Sequence, residues 1–206
     1  MNALILIDLQ IDFCRNGALE VTDGDQVIPI ANLLMDQFDL VVATKDWHPA
    51  NHGSFAANHL WRKPGQIIDL NGLEQVLWPI HCVQETFGSE FVSELQAGQI
   101  DKIIYKGTDP EIDSYSGFHD NGYRKSTGLA EYLKDKGVTE VFIMGLATDF
   151  CVKFSVLDAL KEGFTTHVII DGCRAVNLQE GDGEKAIAEM KTQGAKLVNS
   201  QELIHS

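Results

Sequence analysis

The sequence has no apolar run that approaches the roughly 20 residues of a membrane-spanning helix. Its first residues, MNALILIDLQ, also lack the basic start of a signal peptide, and acidic residues already follow at Asp8 and Asp12. We therefore expect a soluble protein that is neither exported nor in contact with a membrane.

Basic residues are scarce, since 16 Lys and Arg face 30 Asp and Glu and give a formal charge of −14. Such a balance argues against nucleic acid or an anionic membrane as a partner, because both need a basic surface. The four cysteines (Cys14, Cys82, Cys151 and Cys173) are far apart and form no CxxC pair. This usage favours free thiols and a reducing, cytoplasmic setting.

Apolar runs alternate with helix-like stretches along most of the chain. The strand candidates are 3–8, 40–46, 102–106, 140–145, 166–171 and 195–199, and the helix candidates are 24–38, 88–97, 126–136, 148–162 and 180–193. Several strands are continuously apolar, which is typical of a sheet that is covered on both faces. We therefore predict one α/β domain over residues 1–206, with a three-layer, doubly wound, mostly parallel six-stranded sheet and helices on both faces.

Two long segments, 47–86 and 107–125, interrupt this alternation. They are rich in Gly, Pro, His, Asn and Trp, and they show little periodicity. Loops of this length in a compact domain tend to be functional or disordered. Because both contain aromatic and ionisable residues, we interpret them as active-site loops.

Reactive side chains occur where the predicted strands end. Asp8, Asp46 and Lys106 end three strands, and Cys151 follows a fourth at the start of a helix. In open α/β sheets, ligands bind at the carboxyl ends of the strands, so these residues would share one edge. A thiol at a helix start is pushed towards thiolate, a carboxylate accepts its proton, and an ammonium stabilises both. The alternatives are that Asp8 caps a loop or simply pairs with Lys106, and that the cysteine fills space in the core.

The segment KDWHPANHGSF contains a candidate metal site. Asp46 and His48 are two residues apart, so both side chains point the same way in an extended chain. A third ligand could come from His52 or from His81, and such a set suits Zn²⁺, with Fe²⁺ or Mn²⁺ as alternatives. The other interpretation is a polar surface loop.

Aromatic residues near these positions are candidates for substrate contacts. Phe13, Trp78 and Tyr115 could each be ordinary core residues. For Trp78 and Tyr115, the position in an irregular segment favours contact with a ligand.

Five ordered segments together resemble one family, the nicotinamidase/pyrazinamidase branch of the isochorismatase-like cysteine hydrolases. The segments are LILIDLQIDFC, VVATKDWHPANHGSF, WPIHCVQ, IYKGTDPEIDSYSGF and GLATDFCV. The resemblance implies hydrolysis of nicotinamide to nicotinate and ammonia through a cysteine thioester, as part of NAD salvage, with pyrazinamidase activity. It also implies one divalent metal ion, Zn²⁺ first among the candidates, that orients the substrate.

The resemblance also assigns roles to individual residues. It implies a catalytic triad of Asp8, Lys106 and Cys151, and metal ligands Asp46, His48 and His81. The N–H groups of Ala147 and Cys151 would form an oxyanion hole after a cis Leu146–Ala147 peptide. Phe13 and Trp78 would hold the pyridine ring between them, with Tyr115 in the pocket wall. His52 stands where some members have a further metal ligand, so its role stays open. Phe150 departs from the family, which often has His before the nucleophile.

Two alternatives to this function are considered. One is another amide or carbamoyl hydrolase of the same fold, although such relatives generally lack the Asp46, His48 and His81 set. The other is a catalytically inactive protein that binds a metal or nicotinamide, which would not need Asp8 and Lys106 beside Cys151. The sequence leaves the oligomeric state open, with a homo-oligomer as one alternative.

Overall fold

The fold is built around a parallel sheet of six strands. The computed structural model describes residues 1–204, so the last two residues of the predicted domain lie outside the described part. The strands are β1 (Asn2–Ile7), β2 (Leu40–Asp46), β3 (Ile67–Leu70), β4 (Leu73–Val76), β5 (Lys102–Lys106), β6 (Glu140–Leu146), β7 (Thr165–Arg174) and β8 (Lys196–Val198). The six-stranded sheet has the order β5-β2-β1-β6-β7-β8, and every neighbouring pair in it is parallel.

The central strands explain why the sequence predicted this sheet. Residues 3–7 of β1 are fully buried, and every residue of β2 is buried. A strand that is buried on both faces must be apolar at consecutive positions, which is the continuous pattern seen in the sequence. The predicted six-stranded doubly wound architecture is confirmed, with each strand within two residues of its predicted start.

Four α-helices cover the sheet. They are α1 (Val27–Met35), α2 (Leu129–Asp135), α3 (Lys153–Lys161) and α4 (Asp182–Thr192). The chain first builds the sheet outwards from β1 to β2 and β5, and then returns to add β6, β7 and β8 on the other side of β1. Because crossovers between parallel strands are right-handed, this reversal places α1 on one face and the other three helices on the opposite face. The switch point of the topology lies between β1 and β6.

The helix predicted over 88–97 is wrong. The segment contains only 3₁₀ turns at its ends, Phe87–Ser89 and Ala97–Gln99. Its backbone pairs instead with the loop after β1, because Ile11 N–H donates to Glu90 O at 2.9 Å and Val92 N–H donates to Leu9 O at 3.2 Å. These tertiary hydrogen bonds occupy groups that a helix would have used internally.

Two further details differ from the sequence interpretation. The predicted helix 148–162 begins as a π-helical turn, Thr148–Val152, before α3. Asp149, in the first turn, accepts N–H bonds from Val176 at 2.9 Å and Asn177 at 2.8 Å. The irregular segment 47–86 contains the antiparallel pair β3 and β4.

Within residues 1–204, no helix is both long and apolar enough to cross a membrane.

Candidate active site and metal centre

The reactive side chains meet at the switch point of the sheet. Asp8 follows β1, Asp46 and Lys106 end β2 and β5, and Cys151 lies in the π-helical turn after β6. Asp8, Asp46, Lys106 and Cys151 are at most 8% exposed. The crevice at a switch point is the usual ligand site of a doubly wound sheet, and the structure places all four predicted residues there.

Strand register brings the first two charged residues together. Asp46 and Lys106 are direct partners in the β2–β5 pairing, and Lys106 Nζ donates to Asp46 Oδ1 at 2.7 Å. Asp8 has a left-handed φ of 51°, a conformation that Asp tolerates better than most residues. Thr44 of β2 donates to Asp8 Oδ1 at 2.5 Å and so orients its carboxylate.

The hydrogen bonds of the Lys106 ammonium leave one Asp8 oxygen available. Besides Asp46, Nζ donates to Ser114 O at 3.1 Å and to Cys151 Sγ at 3.4 Å, which accounts for its three hydrogens. Nζ also forms an ion pair with Asp8 Oδ2 at 2.8 Å, and no other hydrogen-bond donor among the described residues reaches this oxygen. Asp8 Oδ2 is therefore able to take a proton from a neighbouring group.

Burial and mutual charge set the protonation of this cluster. Burial raises the pKa of the Asp8 carboxyl, although Lys106 opposes the rise. Burial alone would lower the pKa of Lys106, but Asp46 and Asp8 raise it well above its ordinary value. The lysine is thus charged at neutral pH, while the raised pKa of Asp8 suits a group that must both accept and return a proton.

The Cys151 thiol is not a resting thiolate. Burial raises its pKa well above the ordinary value, Lys106 lowers it, and Asp8 raises it again. The direction is opposite to the shift expected for a thiol at a helix start, because loss of hydration outweighs the effect of the Lys106 ammonium on the pKa of the thiol. A base must therefore remove the thiol proton as the sulfur attacks.

The predicted metal ligands converge on one point. Asp46 Oδ2 lies 3.2 Å from His48 Nε2 and 3.4 Å from His81 Nε2. One ligand atom from each of the three residues lies within 4.8 Å of the others, and all three side chains are buried. One carboxylate oxygen of Asp46 therefore faces the candidate metal site, and its other oxygen faces Lys106.

The tautomers of two histidines fit a metal. His48 Nδ1 donates to Gly107 O and His81 Nδ1 donates to Pro79 O, each at 2.8 Å. A carbonyl only accepts, so Nδ1 carries a hydrogen, and in the neutral ring the lone pair of Nε2 points at the carboxylate of Asp46. Such backbone acceptors behind the ring are typical of metal-binding histidines. A cation suits this convergence of electron pairs, and three ligands of this N/N/O type are characteristic of catalytic zinc sites.

His52 lies beside this cluster in a different arrangement. Its ring centroid is 4.2 Å from that of His48, and with His48 and Asp113 it forms a second group of candidate ligands. Ser54 N–H donates to His52 Nδ1 at 3.2 Å, so the hydrogen of the neutral ring is on Nε2, which is buried without a partner among the described residues. Burial, together with His48, lowers the pKa of His52 to about 4.

A small pocket with aromatic walls opens above the thiol and the metal candidate. The pocket is lined by Phe13, Trp78 and Tyr115, and also by Ala147 and Cys151. The Leu146–Ala147 peptide is cis. The predicted site residues therefore surround one pocket, which has the flat apolar walls that suit an aromatic ring.

Phe150 belongs to the same wall. Its ring centroid lies 4.9 Å from that of Trp78 and 5.4 Å from that of Tyr115, in edge-on contacts. The residue that departs from the family pattern thus touches two residues of the ring pocket.

Several residues of the site were missed by sequence reasoning. Asp113 lines the pocket, and its Oδ2 accepts a hydrogen bond from Gln75 Nε2 at 3.0 Å. Gln75 also donates to the hydroxyl of Tyr115 at 3.1 Å, and Trp78 Nε1 donates to that hydroxyl at 3.3 Å. Their only sequence signal is a polar residue in each of the two long irregular segments.

Comparison with known proteins gives consistent matches. Residues 2–202 match the isochorismatase domain family. A nicotinamidase of Escherichia coli is 49% identical over 201 residues, which are 95% of this chain and 93% of that protein. The structure of an Acinetobacter baumanii nicotinamidase/pyrazinamidase is 44% identical, with a TM-score of 0.96 over 98% of both chains.

Two other solved structures were determined with bound groups. The pyrazinamidase of Pyrococcus horikoshii, in complex with zinc, is 40% identical, with a TM-score of 0.78 over 96% of this chain and 98% of that one. The yeast nicotinamidase bound to the inhibitor nicotinaldehyde is 32% identical, with a TM-score of 0.90 over 97% of this chain and 100% of that one.

Proposed function

Since this chain belongs to the isochorismatase domain family, we propose that it is a metal-dependent nicotinamidase that converts nicotinamide to nicotinate and ammonia. The observation that carries the proposal is the position of Cys151, between the acid–lysine pair of Asp8 and Lys106 and a pocket with aromatic walls. A protein that only binds a pyridine would not need a buried thiol that faces a buried carboxylate and ammonium.

In the first half of the reaction, Asp8 acts as general base. Its free Oδ2 accepts the Cys151 proton, and the sulfur attacks the amide carbon. The oxyanion is stabilised by the N–H groups of Ala147 and Cys151. Asp8 then returns the proton to the leaving nitrogen, ammonia departs, and a thioester links Cys151 to the nicotinoyl group.

In the second half, water replaces ammonia in the same geometry. Asp8 accepts a proton from the water as its oxygen attacks the thioester carbon, and it returns the proton to the sulfur when the thioester breaks. Lys106 keeps its charge in both halves. It holds Asp8 in place and lowers the cost of negative charge on the sulfur, since it lies 3.4 Å from Sγ.

Asp46, His48 and His81 would hold a divalent metal at the other end of the pocket. When bound, this ion supplies an electrophilic anchor for the ring nitrogen, which orients the carboxamide over the thiol. The N/N/O ligand set and the zinc in the Pyrococcus horikoshii structure support Zn²⁺ as the ion. For His52, the hydrogen on Nε2 argues against a ligand role in this arrangement.

The remaining parts of the proposal concern the cellular role. Pyrazinamide offers the same carboxamide on a similar ring, so we expect it to be a second substrate. Formation of nicotinate supports a role in NAD salvage. A thiol nucleophile and unpaired cysteines suit the reducing cytoplasm.

Ammonia release from nicotinamide tests the function. We expect turnover by the parent protein and none by Cys151→Ala, while Cys173→Ala is the matched control because that cysteine is buried away from the pocket. Turnover by Cys151→Ala would overturn the nucleophile assignment.

Substrate and metal controls separate the alternatives. If nicotinamide binds stoichiometrically to the metal-loaded protein without ammonia release, the chain is an inactive binder. If ureido or carbamoyl compounds turn over faster than nicotinamide, it is a different amidohydrolase. Full activity after exhaustive chelation would contradict the metal dependence.

A further inference from the structure

The short segment that follows β1 contacts the catalytic lysine and the segments that carry two of the metal ligands. Asp8 stands at its start and Phe13 at its end, and Phe13 packs edge-on against the His81 ring at a centroid distance of 5.5 Å. Between them, Gln10 and Asp12 point into the protein and bind two different loops. Neither residue has a role in the chemistry proposed above.

Gln10 clamps the backbone of the first metal ligand. It is fully buried, its Nε2 donates to Asp46 O at 2.8 Å, and its Oε1 accepts the Asp46 N–H at 2.8 Å. This double contact repeats the hydrogen bonding of a neighbouring strand just where β2 ends, and it fixes the direction in which the Asp46 carboxylate leaves the sheet.

Asp12 makes the corresponding contact with the loop of the third ligand. Its Oδ2 accepts the N–H of Cys82, the residue after His81, at 2.7 Å. Cys82 is fully buried and has a left-handed φ of 45°, so this loop is in a conformation that non-glycine residues rarely adopt. The other oxygen, Oδ1, accepts the N–H of Ala18 at 3.2 Å, next to Leu19 in the pocket wall.

Close packing holds the Asp12 carboxylate where these bonds need it. Gly88 passes directly over it, and a Cβ added at Gly88 would lie 2.2 to 2.3 Å from the three atoms of the carboxylate. The φ of Gly88 is outside the left-handed range, so glycine is needed here to leave room for the Asp12 carboxylate and not to allow an unusual backbone conformation. A methyl group there would have to displace Asp12.

We propose that Asp12 is a positioning residue for the metal site, which holds His81 in register with Asp46 through the Cys82 N–H. The proposal rests on the metal site of the proposed function. It assigns Asp12 to the second layer around the metal rather than to the reaction, and it gives Gly88 a role in keeping that residue in place.

The Zn²⁺ dissociation constant, measured by competition with a chromophoric chelator, tests this role without using activity. Loss of an outer-layer contact typically weakens metal binding by about 10- to 100-fold, and we expect this for Asp12→Ala. Asp12→Asn keeps one acceptor oxygen and should show a smaller loss. Gly88→Ala should also weaken zinc binding, whereas Gly98→Ala, where an added Cβ meets nothing within 4 Å, should not.

A second readout separates positioning from general stability. At saturating Zn²⁺, the kcat of Asp12→Ala should approach that of the parent protein. A purely structural residue would lower the thermal midpoint of the metal-free protein and leave the zinc constant of the folded protein unchanged. A zinc constant within twofold of the parent in Asp12→Ala, or in Asp12→Asn if the alanine variant does not fold, overturns the proposal. A parent protein that binds no zinc overturns the metal site itself.

Discussion

Replacement of Lys106 by methionine is the change with the most informative consequences. Methionine has nearly the same length but no charge, so the side chain still fills its buried site. The variant removes the ammonium from between Asp8 Oδ2 at 2.8 Å and Asp46 Oδ1 at 2.7 Å. Two buried carboxylates then lose their shared partner.

The magnitude follows from these distances. Attraction between unit charges 2.8 Å apart is about 6 kcal/mol at an effective dielectric constant of about 20, and the cost of removing each ion from water offsets much of it. Breaking one side of such a buried pair typically lowers the free energy of unfolding by about 3–5 kcal/mol. Without Lys106 the pKa of Asp8 also rises further, so the carboxyl becomes protonated and general-base catalysis, worth about a hundredfold to ten-thousandfold, is lost.

Urea unfolding and ammonia release measure the two effects. In the double variant Asp8→Asn/Lys106→Met, one of the two unpaired carboxylates is gone and Asp46 keeps only His48 and His81 beside it, so we expect part of the stability to return while activity stays absent. Lys125→Met is the control, because its partner Asp109 is bound at an exposed site, and its unfolding midpoint should not change. A Lys106→Met variant within about 1 kcal/mol of the parent, or with more than a tenth of its activity, would refute this account of the charge cluster.

Three further predictions concern the metal, the pocket wall and the thiols. Chelation should abolish ammonia release and Zn²⁺ should restore it, whereas activity that survives verified metal removal would contradict the proposed anchor. Phe150→His should alter KM for nicotinamide more than kcat, because the Phe150 ring packs against Trp78 and Tyr115 in the wall of the ring pocket; an unchanged KM with a large loss of kcat would argue for a role near the thiol. Burial raises the pKa of both Cys14 and Cys173 to about 12, so peptide mapping after iodoacetamide treatment at pH 8 should find both unmodified in the folded protein.

The sheet and the principal site residues could be predicted from the sequence for one physical reason. Strands covered on both faces must be continuously apolar, and in a parallel sheet their carboxyl ends meet at one edge. The ends of β1, β2 and β5 therefore identified Asp8, Asp46 and Lys106 before any coordinates. The resemblance to a family assigned the third ligand position to His81, which was already a candidate beside His52, and added Ala147, which no local pattern distinguishes.

The features that could not be predicted depend on contacts between distant segments. Residues 88–97 have helix-like composition, but their backbone groups bind the loop after β1. The raised pKa of Cys151 reflects burial by the whole domain rather than its place at a helix start. The role of Gly88 appears only once Asp12 lies beneath it, since no spacing in the sequence relates the two residues.

The central claim is that Cys151 forms a covalent bond with the substrate carbonyl carbon. Nicotinaldehyde, with an isotopically labelled aldehyde carbon, offers a direct test by NMR, because a thiol adds to the aldehyde and changes the carbon from trigonal to tetrahedral. The account predicts the tetrahedral signal of a protein-bound thiohemiacetal with the parent protein, and only the signals of the free aldehyde and its hydrate with Cys151→Ala. The same tetrahedral signal in both proteins would contradict it.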